Sequence, residues 1–163
     1  MNIVQTDMYK SCMKAIDRFN RLSQDQKNLA DYQIKKIISL KYKIEAIATQ
    51  KGYSNACTSS IPICKGDCCK WHFPKNLSYL DFFISIFSMT TDQVEKFLKL
   101  IFNNKKNQCP ILLQSGCFLS FEQRPIICTN AYPCFADRSY WVEKEKINIF
   151  FKKAIDELEI ILL

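Results

Sequence analysis

Glycine is scarce in this chain: three residues in 163, beside five prolines, two tryptophans and one histidine. So few glycines leave no glycine-rich phosphate loop and no dinucleotide-binding fingerprint, which need several at close spacing. No serine triad is present either. Long apolar runs are also missing. The stretches 82–89 and 147–163 are too short or too charged to span a bilayer. The opening Met1-Asn-Ile-Val-Gln-Thr-Asp-Met8 has no basic region followed by an apolar run, so no signal peptide is expected. No internal repeat, low-complexity segment or interdomain linker interrupts the sequence.

What is present is 48% hydrophobic residues, enough for one domain, 1–163, with a core of its own. Three parts are expected inside it: a helical part at 1–52, a cysteine-rich core at 53–135 and a C-terminal helix at 136–163. The fold class is mainly α. Met8, Cys12, Ala15, Phe19 and Leu22 follow a 4-3-4-3 spacing, one apolar helix face. Ala30, Ile34, Ile37, Leu40 or Lys41, Ile44 and Ile47 continue the rhythm. Ser23 with Gln26 has the spacing of a capping box between them, and Gly52 is a natural stop. An antiparallel hairpin of two helices is expected, with one long helix as the alternative. Ser78 to Met89 reads as a short apolar helix. Thr90 or Thr91 caps the next, with Val94, Phe97, Leu98 and Ile101 inward. Residues 111–121, with Ser115-Gly116 at the middle, read as a small hairpin, and Arg124-Pro125 opens a helical turn. In the last helix, from about Ser139, the expected buried stripe is Trp141, Ile147, Phe151, Ala154, Leu158 and Ile161. Its charged residues, Glu143, Lys144, Glu145, Lys146, Lys152 and Lys153, are expected to form a solvated face.

Against this background stand nine cysteines. Cys12 falls in the first helical stripe and reads as a small core hydrophobe. The other eight form two clusters: Cys57, Cys64, Cys68, Cys69 and Cys109, Cys117, Cys128, Cys134. The first includes Cys64-Lys-Gly-Asp-Cys68-Cys69. The second contains Cys109-Pro110, Gly116-Cys117, Arg124-Pro125-Ile-Ile-Cys128 and Pro133-Cys134. Clustering of this kind means metal or disulfides. A cytosolic location is the default without an export signal, and there thiols stay reduced. Four thiolates are a standard shell for zinc and for iron–sulfur clusters. No Cys-x2-Cys pair of a simple zinc ribbon occurs, and that tilts the reading toward iron–sulfur over zinc. Cys64-x3-Cys68 begins like a radical S-adenosylmethionine motif, but Trp71 stands where its third cysteine belongs. Two of the three glycines, Gly66 and Gly116, sit inside the cysteine motifs, where a tight ligand turn benefits from positive φ.

The net charge of +7 assumes neutral thiols. Two zinc ions on eight thiolates would carry about −4, since a four-cysteine zinc centre is about −2. The lysines are scattered rather than striped, which argues against nucleic acid as the partner. An unidentified protein partner or substrate, with no membrane, is the expectation.

Taken together, Cys64-Lys-Gly-Asp-Cys68-Cys69, Cys109-Pro-x-Leu, Gly116-Cys117, Arg124-Pro125-x-x-Cys128 and Pro133-Cys134 resemble the YkgJ-type cysteine-cluster family. The resemblance covers about half of the chain, from Cys57 to Phe135. It implies a zinc- or iron-chelating domain with all eight clustered cysteines as ligands. Cys68-Cys69-Lys-Trp71 is also similar to the cysteine region of flagellin lysine N-methylases, which are associated with an iron–sulfur cluster. The chain departs from the commoner pattern in the long spacing between Cys57 and Cys64, and in Thr129, where arginine is frequent.

Several neighbours carry two readings. His72 has the spacing of a ligand, but an isolated histidine is more often hydrogen-bonded at a surface. Arg124 either donates to sulfur or an anion, or anchors a turn structurally, and the second reading is preferred. Asp67 fits a structural role in the Gly66 turn. Trp71, Phe73, Tyr132 and Phe135 would shield a metal site from water. Two functions follow: a metal-binding module, structural or redox-active, or a metal-dependent protein-modifying enzyme. A disulfide-bonded protein is a third reading and conflicts with the missing export signal.

Overall fold

The computed structural model describes residues 3–53, 69, 77–103, 109–130 and 136–163. The protein is mainly helical, with six helices and one short hairpin among the described residues. The chain divides into two compact units, one formed by Met1–Asn20 with Ser60–Asn130, the other by Arg21–Ser59 with Ala131–Leu163.

The first unit begins with helix α1 (Ile3–Arg21). Met8, Cys12 and Ala15 are buried on one face, as the spacing predicts. Cys12 is fully buried, and desolvation pushes its thiol up to about 12. It is a core residue rather than a reactive one. Phe19 meets Phe83 and Phe87 at ring separations of 6.3 and 5.6 Å. These belong to α3 (Tyr79–Phe87), in which every residue from Leu80 to Ile86 is buried. An apolar helix with no solvated face is the centre of a unit rather than its surface. Its polar members are partnered locally: the Ser85 hydroxyl donates to the Asp81 carbonyl at 2.9 Å. Helix α4 (Thr91–Asn103) turns Phe97 and Ile101 inward, while Val94 and Leu98 are half-buried. Thr90, not Thr91, is its cap: Gln93 N–H donates to Thr90 Oγ1 at 3.3 Å, and Thr90 N–H donates to Gln93 Oε1 at 3.0 Å. Strands β1 (Leu112–Leu113) and β2 (Gly116–Cys117) and helix α5 (Ile126–Asn130) complete the unit.

The second unit is built on α2 (Gln24–Gln50) and α6 (Arg138–Ile161). They run antiparallel, because Lys36, midway along α2, pairs with Glu157 late in α6, while Lys51 at the end of α2 pairs with Glu143 early in α6. The Ser23–Gln26 capping box is present, so the N-terminal stretch is two helices rather than one. Ala30, Ile34, Ile37, Leu40, Lys41 and Ile44 are buried as the periodicity predicts. Ala48 replaces the expected Ile47, which is half-buried. Gly52 stops α2 with φ +76°, and Tyr53 N–H closes back on the Ala48 carbonyl at 2.7 Å.

Expectations for α6 are corrected at four positions: Ile147 and Ile161, expected buried, are half-buried, and Trp141 and Lys144 differ more. Trp141 is 38% exposed, and Tyr140 is fully buried in its place. Lys144, expected in solvent, is 2% exposed. The buried stripe runs Tyr140, Lys144, Phe151, Ala154 and Leu158. Trp141 lies one residue, about 100° of helix rotation, away from that line. Its indole N–H donates to the Ala136 carbonyl at 3.1 Å, and its ring receives the Lys144 ammonium 4.6 Å from its centre. No described helix is long and apolar enough to cross a membrane.

Candidate metal centre

Four of the eight predicted ligands, Cys69, Cys109, Cys117 and Cys128, are among the described residues, all in the first unit. Cys57, Cys64, Cys68 and Cys134 lie outside the described residues, as do Gly66, Asp67, Trp71, His72, Phe73, Tyr132 and Phe135.

Local chemistry explains each placement. Cys109-Pro110-Ile111-Leu112 is a turn, with Leu112 N–H donating to the Cys109 carbonyl at 3.1 Å. Proline suits its second position because its ring presets φ. The chain then forms the hairpin expected from Ser115-Gly116. Leu112 pairs with Cys117 and Leu113 with Gly116. Gly116 has φ +119°, which a residue with a side chain would rarely adopt. Phe118 N–H extends the hairpin to the Ile111 carbonyl at 2.9 Å.

The next turn is held by side chains. Ser120 N–H donates to Gln123 Oε1 at 3.2 Å, and Gln123 N–H donates to Ser120 Oγ at 3.4 Å. Buried Gln123 also donates to the Ser88 carbonyl at 3.3 Å. Asp81 does the most. Its Oδ2 accepts from Ser78 N–H at 3.0 Å and from the Ser78 hydroxyl at 2.9 Å. Its Oδ1 reaches across to accept Ile126 N–H at 3.1 Å. A buried carboxylate therefore ends two helices at once: it closes the start of α3 and supplies an acceptor to the first turn of α5. Cys128 sits in that turn, its own N–H donating to the Pro125 carbonyl at 3.0 Å.

The two cysteine clusters meet at the backbone. Cys109 N–H donates to the Cys69 carbonyl at 2.7 Å. Cys109 is buried, while Cys69, Cys117 and Cys128 are half-buried. Cys12, Cys117 and Cys128 are thiols rather than half-cystines.

The field at Cys128 describes the site's electrostatics. Burial pushes its thiol well above the usual range, and negative charge on Cys109, Cys117 and Asp81 pushes it further. The Arg124 guanidinium acts in the opposite sense. Cys128, in its turn, thus feels Cys109 and Cys117 from a second turn and a hairpin. Crowded thiolates of this kind repel, and a bound cation turns that repulsion into attraction. The donor chemistry fits a thiophilic metal. Among the described residues, however, no three His, Cys, Asp or Glu side chains stand close enough together to hold an ion.

Asp81, Ser120 and Gln123 were not singled out by sequence reasoning. The signal for them was the Ser-x-x-Asp and Ser-x-x-Gln spacing, the same pattern that marked Ser23–Gln26. Beside the hairpin lies an open groove of about 490 Å³, lined in part by Lys96, Lys99, Pro110, Leu113 and Phe118. Comparison with known proteins adds no identification: no protein-family model, no curated protein and no solved structure matches this chain.

Proposed function

We propose that this chain is a metal-binding protein whose eight clustered cysteines hold zinc or an iron–sulfur centre, iron–sulfur being favoured. The ligands would be Cys57, Cys64, Cys68, Cys69, Cys109, Cys117, Cys128 and Cys134, around an irregular cysteine-rich core at 53–135. The observation that carries the reading is the Cys109-to-Cys69 backbone hydrogen bond of 2.7 Å. It ties together two cysteine motifs that lie far apart in the sequence. The environment of Cys128 supports it: burial first, then the charge of Cys109 and Cys117, disfavours its thiolate, and a bound cation would relieve that penalty. The resemblance to the YkgJ-type family points the same way.

When bound, such a centre supplies structural cross-linking or electron transfer. The chain's own residues position the thiols. The Asp81 carboxylate fixes the Cys128 turn, Gly116 folds the Cys117 hairpin and Arg124 moderates the negative charge. Reduced clustered thiols fit a cytoplasmic location, and scattered lysines do not favour nucleic acid.

A second reading is a metal-dependent protein-modifying enzyme related to flagellin lysine N-methylases. The groove beside the hairpin favours it, since that groove offers a substrate space in the unit that carries Cys69, Cys109, Cys117 and Cys128.

The test is anaerobic purification, a visible spectrum, and elemental analysis for zinc and iron. Brown protein with several irons per chain supports a cluster. Colourless protein with one or two zinc ions supports a structural site. Metal-free protein with its clustered thiols paired would sink the proposal. A substrate or cofactor bound in the groove would promote the enzyme reading.

A further inference from the structure

Helix α6 has two apolar faces, and only one is used inside the unit. Its buried line is Tyr140, Lys144, Phe151, Ala154 and Leu158. On the opposite side, Val142, Ile149 and Ile160 are 55%, 68% and 69% exposed respectively. At 100° per residue these three fall within about 20° of one line, roughly 180° from Phe151. Lys146, Lys153 and Asp156 complete the same line and are exposed. The positions 142, 146, 149, 153, 156 and 160 are spaced 4-3-4-3-4, the spacing of a coiled-coil seam. Phe150, also exposed, borders it. Singly exposed apolar residues are ordinary, but an aligned stripe on an otherwise polar face marks an interface.

We propose that this stripe docks a second copy of the chain, α6 against α6, antiparallel about a two-fold axis near Phe151. The order of the residues argues for that occupant. Positions equally distant from 151 face each other in such a pair. Val142 then meets Ile160 of the second copy, and Lys146 meets Asp156 of the second copy. Ile149 meets the aliphatic stem of the second copy's Lys153, whose ammonium reaches water. The two-fold axis repeats each contact, so one self-complementary patch satisfies both chains. A parallel pair would instead set Lys146 against Lys146, Lys153 against Lys153 and Asp156 against Asp156, which repel. The charge order therefore selects both the occupant and the direction.

The experiment is sedimentation equilibrium of the full chain, as purified with whatever metal it holds, over a range of concentrations. The wild type should dimerise reversibly. Ile149→Glu combined with Ile160→Glu should leave a monomer, with circular dichroism confirming unchanged helicity. Lys146→Asp alone places like charges opposite each other twice, and should weaken the dimer about tenfold. Adding Asp156→Lys to that variant restores opposite charges and should recover the wild-type constant. A wild type that stays monomeric overturns the proposal, as does a dimer indifferent to the two isoleucine changes. A charge swap that fails to restore association overturns the antiparallel register. Metal content plays no part in these outcomes, so they stand apart from the function proposed above.

Discussion

In the unit of residues 21–59 and 131–163, two long helices run antiparallel, and apolar side chains at helical spacing fill the space between. In the unit of residues 1–20 and 60–130, one long helix, α1, is accompanied by shorter elements joined by turns, and polar side chains hold those turns to backbone groups. Ser78, Asp81, Thr90, Ser120 and Gln123 all do this. The difference follows from element length. A helix of 24 residues satisfies nearly all its backbone groups internally. A five-residue helix such as α5 satisfies almost none, because four N–H and four C=O groups at its ends have no helical acceptor or donor. Short elements therefore need outside acceptors. Cys109, Cys117 and Cys128 sit among these short elements.

That contrast can be broken from both sides. Leu158→Ala removes a fully buried side chain from the second unit and should cost about 3 kcal/mol, by lost burial and the cavity left behind. Asp81→Ala removes no comparable apolar volume from the first, yet should cost about as much, ~3 kcal/mol, because it strands buried N–H groups on two helices. Denaturant melts measure both. Hydrogen exchange separates the mechanisms: the Ile126 amide should exchange faster in the Asp81 variant, well before global unfolding. Equal protection of Ile126 in both variants would show that Asp81 does not hold the turn.

A smaller effect sharpens the account of the helical pair. Burial draws Lys144 down to about 8 from the ordinary 10.5. The folded state sheds this proton first, so the residue's contribution to stability rises with pH between about 8 and 10.5. Lys144→Met should stabilise the protein at pH 7 by about 1 kcal/mol, the relief of desolvation being partly offset by loss of the contact with Trp141. That advantage should shrink as the pH approaches 10. Thermal melts across this range give the slope, and a constant difference would remove desolvation as the cause.

The smallest effect belongs to the exposed cap of α6. The Ser139 hydroxyl, then Tyr140 N–H, hold the Asp137 carboxyl down at about 2, against an ordinary 3.8. Its contribution is complete above pH 3.8 and is lost as the pH falls toward 2. Asp137→Asn should flatten the acid limb of the melting curve in that window and leave the curve near neutrality almost unchanged.

Periodicity made the two long helices legible but not their pairing: the expected hairpin joins the two helices of 1–52, whereas α2 pairs with α6. The assignment of α6 slipped as well. Choosing Trp141 over Tyr140 shifted the stripe by one residue, and treating Lys144 as a surface charge hid a buried one. Apolar character alone does not distinguish two neighbouring aromatics; the line through Phe151, Ala154 and Leu158 does. The exposed stripe of Val142, Ile149 and Ile160 was missed for the same reason, since one helix was assumed to have one apolar face. In the other unit, the hairpin was legible from Ser115-Gly116, and the helix starts were legible from serine and threonine. The bond from Asp81 to Ile126 was not, because no periodicity links two residues in separate elements.

What the sequence alone determined is local: where helices start and stop, why Gly52 and Gly116 stand where they do, and that Cys12 belongs to a core. These follow from hydrogen bonds and side-chain rotations within about four residues, which sequence spacing encodes directly. What only the tertiary structure decided is which distant groups meet. Cys109 on Cys69, Asp81 on Ile126 and Lys144 on the buried face of α6 all depend on packing that brings elements together. Packing depends on the joint shape of many side chains, and no single spacing in the chain records it.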